Sequence, residues 1–335
     1  MLKRQSVNLK TEINRLKNKL GVTIAAHYYQ RDEVFDIADI VGDSLELARK
    51  CQNDPNEWIV FCGVEFMGQS VKVISSNKRV LMPKIAYCAM AKMIDEIYFD
   101  KNVKYLEDHG IKKEEILPIT YINSDVSVKA KVGEMGGMVC TSANAYKIIQ
   151  KGLSSDKKIL FVPDRCLGQN FANQMGLKSC VIGVGECDPK EADVICYNGF
   201  CSVHQLFTTK DIEFYRNKYP DIKIAVHPEC DPGVVAMADF TGSTSQLIKY
   251  VNELPLDQKV AVGTEYNLVN RMRDKNTYVL SSTKPQCPTM NETTLEDLYN
   301  TLKSIEDGKP INEIFVDEHT VKYAKLALTR MLEIA

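Results

Sequence analysis

The chain has 335 residues, of which 44% are hydrophobic and 26% charged. This composition is typical of a soluble globular protein and excludes a disordered chain, and the length suits two or three domains better than a single core. With 42 Lys and Arg against 44 Asp and Glu, the formal net charge is −2, so the basic field of a nucleic-acid-binding protein is absent. No apolar run reaches the roughly 18 residues that a membrane span needs.

The N-terminal segment predicts an amphipathic helix, because Leu9, Ile13, Leu16 and Leu20 recur at helical spacing. It lacks the central apolar region of a signal peptide. We therefore expect a soluble, cytoplasmic protein.

Eleven cysteines are a high count for such a protein. In a reducing compartment we expect all of them to be thiols, most of them small buried hydrophobic residues. No C-x-x-C motif occurs, so the spacings typical of zinc ribbons, ferredoxins and thioredoxins are excluded. The ligands of any metal site must therefore come from distant parts of the chain.

Short apolar strands alternate with helical stretches along the chain. The clearest strands are VTIAAHYY, WIVFCGV, ILPITYIN, KILFVPD, IKIAVHPE and KVAVGTE. Continuous Val- and Ile-rich runs between helices indicate parallel sheets built from βαβ units. The fold class is therefore α/β.

A longer repeat connects these strands. Three strands end in polar groups, at His27-Tyr28-Tyr29, Tyr121-Ile122-Asn123 and His227-Pro228-Glu229. Each strand end is followed by a small hydroxyl residue that we expect to open a helix. Ser44 lies 17 residues after His27, Ser142 lies 19 after Asn123, and Thr244 lies 17 after His227. Each copy closes on a cysteine: Cys88, Cys201 and Cys287. Three such copies around a pseudo-threefold axis would aim their strand ends, helix N-termini and cysteines at one central cavity.

The repeat divides the chain into three α/β domains with short parallel sheets between helix layers. We expect these domains at residues 1–105, 106–195 and 196–289. The C-terminal helices, residues 290–335, should join the first domain beside the N-terminal helix. Thr293 and Glu296 form a capping-box pattern at the start of the first of them.

The residue types in the repeat indicate one kind of chemistry. A [4Fe–4S] cluster held by three cysteines leaves one iron free to act as a Lewis acid. Helix N-termini, with added hydroxyl donors, favour anions such as carboxylates and phosphate. The His, Tyr, Asn and Glu side chains at the strand ends can then donate hydrogen bonds and transfer protons.

With these motifs the sequence resembles the quinolinate synthases, the A protein of de novo NAD biosynthesis. The resemblance covers nearly the whole chain, through AAHYYQRDEVFDIADIVGDSLELAR, FCGVEFMGQS, TYIN, VCTSANA, PDRCLGQN, GFCSVH, AVHPEC, DFTGSTSQL, GTEYNLVNR and CPTMN. It implies three repeated α/β domains about a pseudo-threefold axis and one [4Fe–4S] cluster per chain. It also implies condensation of iminoaspartate with dihydroxyacetone phosphate to quinolinate, with release of phosphate and two waters. Glu65 and Gln69 depart from the family pattern, which has His and Glu there.

Position by position, the resemblance assigns the cluster to Cys88, Cys201 and Cys287. The contacts to iminoaspartate and phosphate fall on His27, Ser44, Tyr121, Ile122, Asn123, Ser142, His227, Pro228, Glu229 and Thr244. Tyr29 matches a catalytic tyrosine in a loop, residues 28–43, that could close as a lid. We expect Tyr29 and the His227–Glu229 pair to be general acids or bases, with Tyr121 and Asn123 beside them.

Two alternatives share the cluster. An iron–sulfur hydro-lyase acting on a dicarboxylate would need no phosphate site. An iron–sulfur redox sensor would bind no small dicarboxylate tightly and would need a partner surface. For a quinolinate synthase, the unstable imine would come from an aspartate oxidase or an aspartate dehydrogenase. No nucleic acid or membrane partner is expected.

Overall fold

The computed structural model describes residues 2–272 and 276–334, with side chains from residue 9 onward. It is an α/β structure with three parallel sheets in the described residues. The strands are β1 (Val22–His27), β2 (Ile40–Gly42), β3 (Trp58–Cys62), β4 (Arg79–Leu81), β5 (Ile116–Tyr121), β6 (Met138–Cys140), β7 (Lys158–Val162), β8 (Ser179–Val181), β9 (Val194–Cys196), β10 (Lys223–Val226), β11 (Phe240–Thr241), β12 (Val260–Gly263) and β13 (Thr277–Val279).

Helices connect these strands and flank the sheets. They are α1 (Leu2–Leu20), α2 (Asp32–Phe35), α3 (Ser44–Asn53), α4 (Glu65–Ile74), α5 (Glu96–Asp108), α6 (Val126–Glu134), α7 (Ala145–Leu153), α8 (Arg165–Gln174), α9 (Thr209–Lys218), α10 (Pro232–Ala236), α11 (Thr244–Glu253), α12 (Tyr266–Arg271), α13 (Leu295–Glu306) and α14 (Glu318–Ile334). None of the described helices is long and apolar enough to cross a bilayer.

The three sheets begin with the same order of three strands, which confirms the α/β class and the repeated sheets. The full orders are β2-β1-β3-β4, β6-β5-β7-β9-β8 and β11-β10-β12-β13, with every pair parallel. The six strands predicted from the sequence are two neighbouring inner strands of each sheet: β1, β3, β5, β7, β10 and β12. Their register also repeats, because Ala26 pairs with Val41, Thr120 with Val139, and Val226 with Thr241. The polar strand ends therefore lie beside the turns that carry Ser44, Ser142 and Thr244.

The described chain forms two compact units. The first comprises the residues up to Cys88 together with Cys287–Glu318, and it contains the first sheet. Its core joins α1 to α13 over the sheet, with Ile13, Leu16, Leu298 and Leu302 fully buried. The second comprises Ala89–Gln286 and the chain from His319 onward, and it contains the other two sheets. The pseudo-threefold axis and the domain boundaries remain predictions.

The last helix lies in the second unit and not in the first domain, where we expected all of residues 290–335. At Gly133 of α6, an added Cβ would lie 2.0 Å from the carbonyl oxygen of Tyr323 in α14. The Arg330 guanidinium donates to the Gly137 carbonyl at 2.8 Å. The absence of a side chain at Gly133 is what lets α14 approach α6 this closely.

Two sequence expectations need smaller corrections. The capping box of α13 uses Thr294 and Asp297, one residue later than the predicted Thr293 and Glu296. Cys180 and Cys187 form a disulfide, with Cα atoms 5.1 Å apart across a short loop, so the prediction of eleven thiols was wrong. The other nine cysteines form no disulfide.

Candidate active site

The first strand end lies in the first unit, where the predicted His27 and Tyr29 are brought into contact. The Tyr29 backbone N–H donates to Nδ1 of His27 at 3.1 Å. The two rings meet edge to face with centroids 4.7 Å apart. Because His27 is buried at the end of β1, this contact fixes the position of Tyr29 relative to the end of the strand.

Ser44 is the first residue of α3 and lies next to that strand end. The Asp43 carboxylate caps the helix by accepting from the N–H groups of Leu45 and Glu46, and the Glu46 carboxylate accepts from Asp43 N–H in return. The N-terminus of α3 is thus ordered, with the half-buried Ser44 at the edge where β1 and β2 end. This is a geometry that favours an anion.

Cys88 and Cys287 also belong to the first unit, and neither is in a disulfide. The Glu65 backbone N–H donates to the Ala86 carbonyl at 2.8 Å, which ties the segment before Cys88 to the start of α4. The Cys287 carbonyl accepts from the Asn291 amide at 2.8 Å, and the Arg31 guanidinium donates to the Asn291 carbonyl at 2.7 Å. The Cys287 turn is therefore joined to the segment that carries Tyr29.

In the second unit, β5 ends in Tyr121 and Ile122, both buried, followed by Asn123. Oδ1 of Asn123 is buried and has no hydrogen-bond partner among the described residues. An unpartnered buried amide oxygen costs stability unless a ligand or water satisfies it. This makes Asn123 a candidate ligand-binding residue.

Ser142 follows β6 but does not open a helix, contrary to the prediction. The Asn144 side chain accepts from the N–H and the hydroxyl of Thr141 at 2.7 and 3.1 Å, which makes a turn at this point. As a result, α7 begins only at Ala145. Ser142 lies half-buried in that turn, beside the strand that pairs with β5.

The third strand end repeats the geometry of the first. The Glu229 N–H donates to Nδ1 of His227 at 3.3 Å, as Tyr29 does to His27. Thr244 is the first residue of α11, where Ser243 and Gln246 form a capping box. The predicted site residues His227, Pro228, Glu229 and Thr244 are all buried.

His204, which the sequence analysis did not select, completes this part of the site. Its Nδ1 lies 2.8 Å from Oε2 of Glu229 and 3.2 Å from Sγ of Cys201, while its Nε2 lies 3.2 Å from Oγ1 of Thr264. Its ring stacks on that of His227, with centroids 4.6 Å apart. The C-x-x-H spacing from Cys201 was the one sequence signal that could have found it.

The electrostatics of Glu229 are set by these neighbours. Burial raises its pKa, but the charge and hydrogen bond of His204, the charge of His227 and a hydrogen bond from Tyr121 outweigh burial and lower the pKa to about 2. Glu229 is therefore an ionised carboxylate in a buried site. Such a group can accept a proton only from an acid placed directly against it.

Asp164, at the start of α8, behaves in the opposite way. Burial and the charge of Glu229 raise the pKa of Asp164 well above its usual value. Its Oδ1 accepts from Leu167 N–H at 2.8 Å, while Oδ2 is buried without a hydrogen-bond partner in the described residues. The pKa values of two neighbouring carboxyl groups are thus shifted in opposite directions, that of Glu229 downward and that of Asp164 upward.

The donor set around Cys201 is compatible with a metal. Ligand atoms of Cys201, His204 and Glu229 all lie within 4.8 Å of one another. Among the described cysteines outside the disulfide, Cys88, Cys201 and Cys287 are partly exposed and the remaining six are buried. The three cysteines that the sequence singles out are therefore the partly exposed ones.

A cavity of about 500 Å³ adjoins this region within the second unit. It is lined by Ser142 and Pro228, by the aromatic residues Tyr146, Phe171 and Phe240, and by several amide side chains. Its volume lies in the range of small-molecule sites.

Comparisons with known proteins identify the relatives of this chain. The family model described as "Quinolinate synthetase A protein" matches residues 11–333. A quinolinate synthase of Helicobacter pylori (strain HPAG1) is 54% identical over 98% of both chains. Those of Streptomyces coelicolor and Bacillus subtilis (strain 168) are 40% and 39% identical, over 94% and 98% of this chain and 86% and 93% of theirs.

Proposed function

Because the chain belongs to the quinolinate synthetase A protein family, we propose that it is a quinolinate synthase of de novo NAD biosynthesis. It would condense iminoaspartate with dihydroxyacetone phosphate and release quinolinate, phosphate and two waters. Atoms and electrons balance in this reaction without an external oxidant or reductant. The observation that carries the proposal is the buried, ionised Glu229 held by His204, His227 and Tyr121 at the end of a parallel strand, a place where α/β enzymes bind substrates.

We propose that one [4Fe–4S] cluster per chain is held by Cys88, Cys201 and Cys287. The partial exposure of these three cysteines supports this assignment, whereas the other six cysteines outside the disulfide are buried. When bound, the cluster would supply one iron without a protein ligand as a Lewis acid for dehydration. Nδ1 of His204 lies 3.2 Å from the Cys201 sulfur, a contact typical of groups that orient metal ligands.

The substrates are anionic, and the site residues can bind anions. The ordered N-termini of α3 and α11 carry Ser44 and Thr244 and would hold carboxylates or phosphate through N–H and hydroxyl donors. Tyr121, Ile122, Asn123 and Ser142 would contribute from the strand ends of the second sheet, and His27, His227 and Pro228 from the other two.

Proton transfer would fall to Tyr29 and to the His227–Glu229 pair. Glu229 would accept a proton at an Oε atom from the adjacent His204 imidazole, whose Nδ1 lies 2.8 Å from Oε2, because its carboxylate is ionised. The Tyr29 hydroxyl can donate to a leaving water, and its exit from β1 is fixed by His27. Tyr121 and Asn123 would orient the substrate.

The reaction class that supplies iminoaspartate must oxidise the amine of aspartate, because the imine lies two electrons above the amine. An aspartate oxidase or an aspartate dehydrogenase would serve. Because the imine hydrolyses in water, we expect the chain to act in the same compartment as its supplier, the cytoplasm.

The test is anaerobic purification of the full chain, followed by assay with iminoaspartate generated in situ and dihydroxyacetone phosphate. We expect quinolinate and phosphate in equal amounts, and no product when either substrate is left out. Dehydration of a hydroxy-dicarboxylate without phosphate release would instead indicate a hydro-lyase. A cluster without turnover or dicarboxylate binding would indicate a sensor, and either result would overturn the proposal.

A further inference from the structure

The turn that carries Glu229 is held by side-chain amides at three successive carbonyls. Nδ2 of Asn170 donates to the carbonyls of Pro228 and Cys230, both at 2.8 Å. Nε2 of Gln205 donates to the carbonyl of Glu229 itself at 3.4 Å. The side-chain amide of Asn170 thus donates both of its N–H groups to the backbone carbonyls of the residues on either side of Glu229.

These hydrogen bonds join two different sheets of the second unit. Asn170 lies on α8, which follows β7 of the second sheet, whereas the turn follows β10 of the third. Asn170 is buried, with 6% of its surface exposed, so water does not compete for these bonds. Tyr121, which donates to the Glu229 carboxylate, also belongs to the second sheet.

The position of the Glu229 carboxylate depends on this turn. The carboxylate is buried and charged, and its partners His204 and Tyr121 are themselves buried. A buried charge tolerates little displacement from its partners, because nothing else solvates it. The hydrogen bonds to the carbonyls on both sides of Glu229 fix the position of its backbone, and therefore the position from which its carboxylate contacts His204 and Tyr121.

We infer that Asn170 is a positioning residue for Glu229, acting through the backbone of the 228–230 turn. The inference rests on the proposed function, in which Glu229 accepts a proton. Nothing in the sequence motif distinguishes Asn170 from the neighbouring amides Gln169, Asn173 and Gln174. It is the contact with the two carbonyls that singles it out.

The test is a double-mutant cycle in the cluster-loaded enzyme. Asn170→Leu keeps the branched shape and the number of heavy atoms of the side chain and removes both donors, and Asn170→Asp serves where the Leu variant does not fold. We expect kcat to fall about 10- to 100-fold, with KM changed less than about threefold, since a shift of one ångström in a reacting group costs this much. The matched control is Gln169→Leu, a half-buried neighbour on the same helix that does not line the cavity, which should keep wild-type kcat.

The second arm of the cycle asks whether Asn170 acts through Glu229. In a Glu229→Gln background, Asn170→Leu should lower kcat less than about twofold, because the group that it positions has already been removed. An equal loss in both backgrounds would overturn the inference. A loss of kcat matched by a loss of cluster iron would also overturn it.

A readout independent of turnover is amide hydrogen exchange in the turn. Asn170→Leu should speed exchange about tenfold at the amides of residues 229–231, whereas Gln169→Leu should leave it unchanged. Unchanged exchange in Asn170→Leu would contradict the inference even if the wild type makes quinolinate. If the wild type makes no quinolinate but Asn170→Leu alters exchange as expected, the proposed function is overturned. The role of Asn170 in ordering the 228–230 turn is then still established.

Discussion

His204 and Glu229 form a buried ion-pair contact, with Nδ1 of the imidazole 2.8 Å from Oε2 of the carboxylate. His204 reaches Thr264 through its other nitrogen at 3.2 Å, so the ring has a fixed orientation. Since one nitrogen faces the carboxylate and the Cys201 sulfur, the same imidazole couples the proposed proton acceptor to a proposed cluster ligand.

Replacing Glu229 by Gln should abolish proton transfer and leave the cluster in place. The amide keeps the shape of the side chain but cannot accept a proton at the same atom, so we expect kcat to fall by about 10²–10⁴-fold. The iron and sulfide content should stay at the wild-type level, because Glu229 is not one of the three proposed cysteine ligands. The measurements are quinolinate formation and iron and sulfide analysis on the same anaerobic sample. A Glu229→Gln enzyme with wild-type kcat would remove this residue from the mechanism.

The cluster assignment predicts a sharp contrast among the cysteines. Cys88→Ser, Cys201→Ala and Cys287→Ala should each lose the iron, the sulfide and the visible absorption of the cluster, together with activity. Cys140→Ala is the matched control, because this thiol is buried at the end of β6 beside the site strand β5. About four iron and four sulfide per chain are expected for the wild type and this control. A cluster indifferent to any of the three substitutions would refute the three-cysteine site.

The sheet centres could be predicted from the sequence, but the sheet edges could not. The strands β1, β5 and β7 are continuous apolar runs buried along most of their length, and such runs carry a strong signal. Edge strands such as β6 and β11 have only three and two residues. They are too short to show a hydrophobic periodicity, and they form because the neighbouring central strand supplies their backbone hydrogen-bond partners.

Site residues that directly follow a strand could be predicted from the sequence. Site contacts between segments that are distant along the chain could not. His27, Tyr121 and Glu229 follow directly from the strand pattern. His204 lies in a three-residue 3-10 helix, and Glu229 is 25 residues away along the chain, so no local pattern pairs them. The location of α14 was hidden for the same reason, because an amphipathic face does not specify which helix covers it.

The close packing of α14 on α6 predicts a large effect of one added methyl group. In Gly133→Ala the new Cβ would lie 2.0 Å from the Tyr323 carbonyl oxygen, so α14 must move. We expect the free energy of unfolding to fall by about 1–3 kcal/mol, measured by chemical denaturation. Gly233→Ala is the control, because its nearest contact would be 3.2 Å from the side chain of Asp231. Equal stability of the two variants would contradict this packing.

The raised pKa of Asp164 predicts how stability changes with pH. Its pKa is raised in the folded protein by burial and by the charge of Glu229. Above the ordinary pKa of an aspartate, about 3.9, the unfolded chain releases this proton while the folded chain keeps it. This residue therefore makes the folded protein less stable as pH rises from there towards its folded pKa, and the cost persists above it.

Asp164→Asn should remove that cost and keep the cap of α8, since an Asn oxygen caps a helix as well as an Asp oxygen does. We expect the variant to unfold about 3 °C or more above the wild type at pH 7, with a smaller difference near pH 4. Thermal unfolding of the cluster-loaded proteins across this pH range measures the effect, with the exposed Asp221→Asn as control. A variant less stable than the wild type at pH 7 would mean that Asp164 is ionised in the folded protein and that its charge stabilises the site.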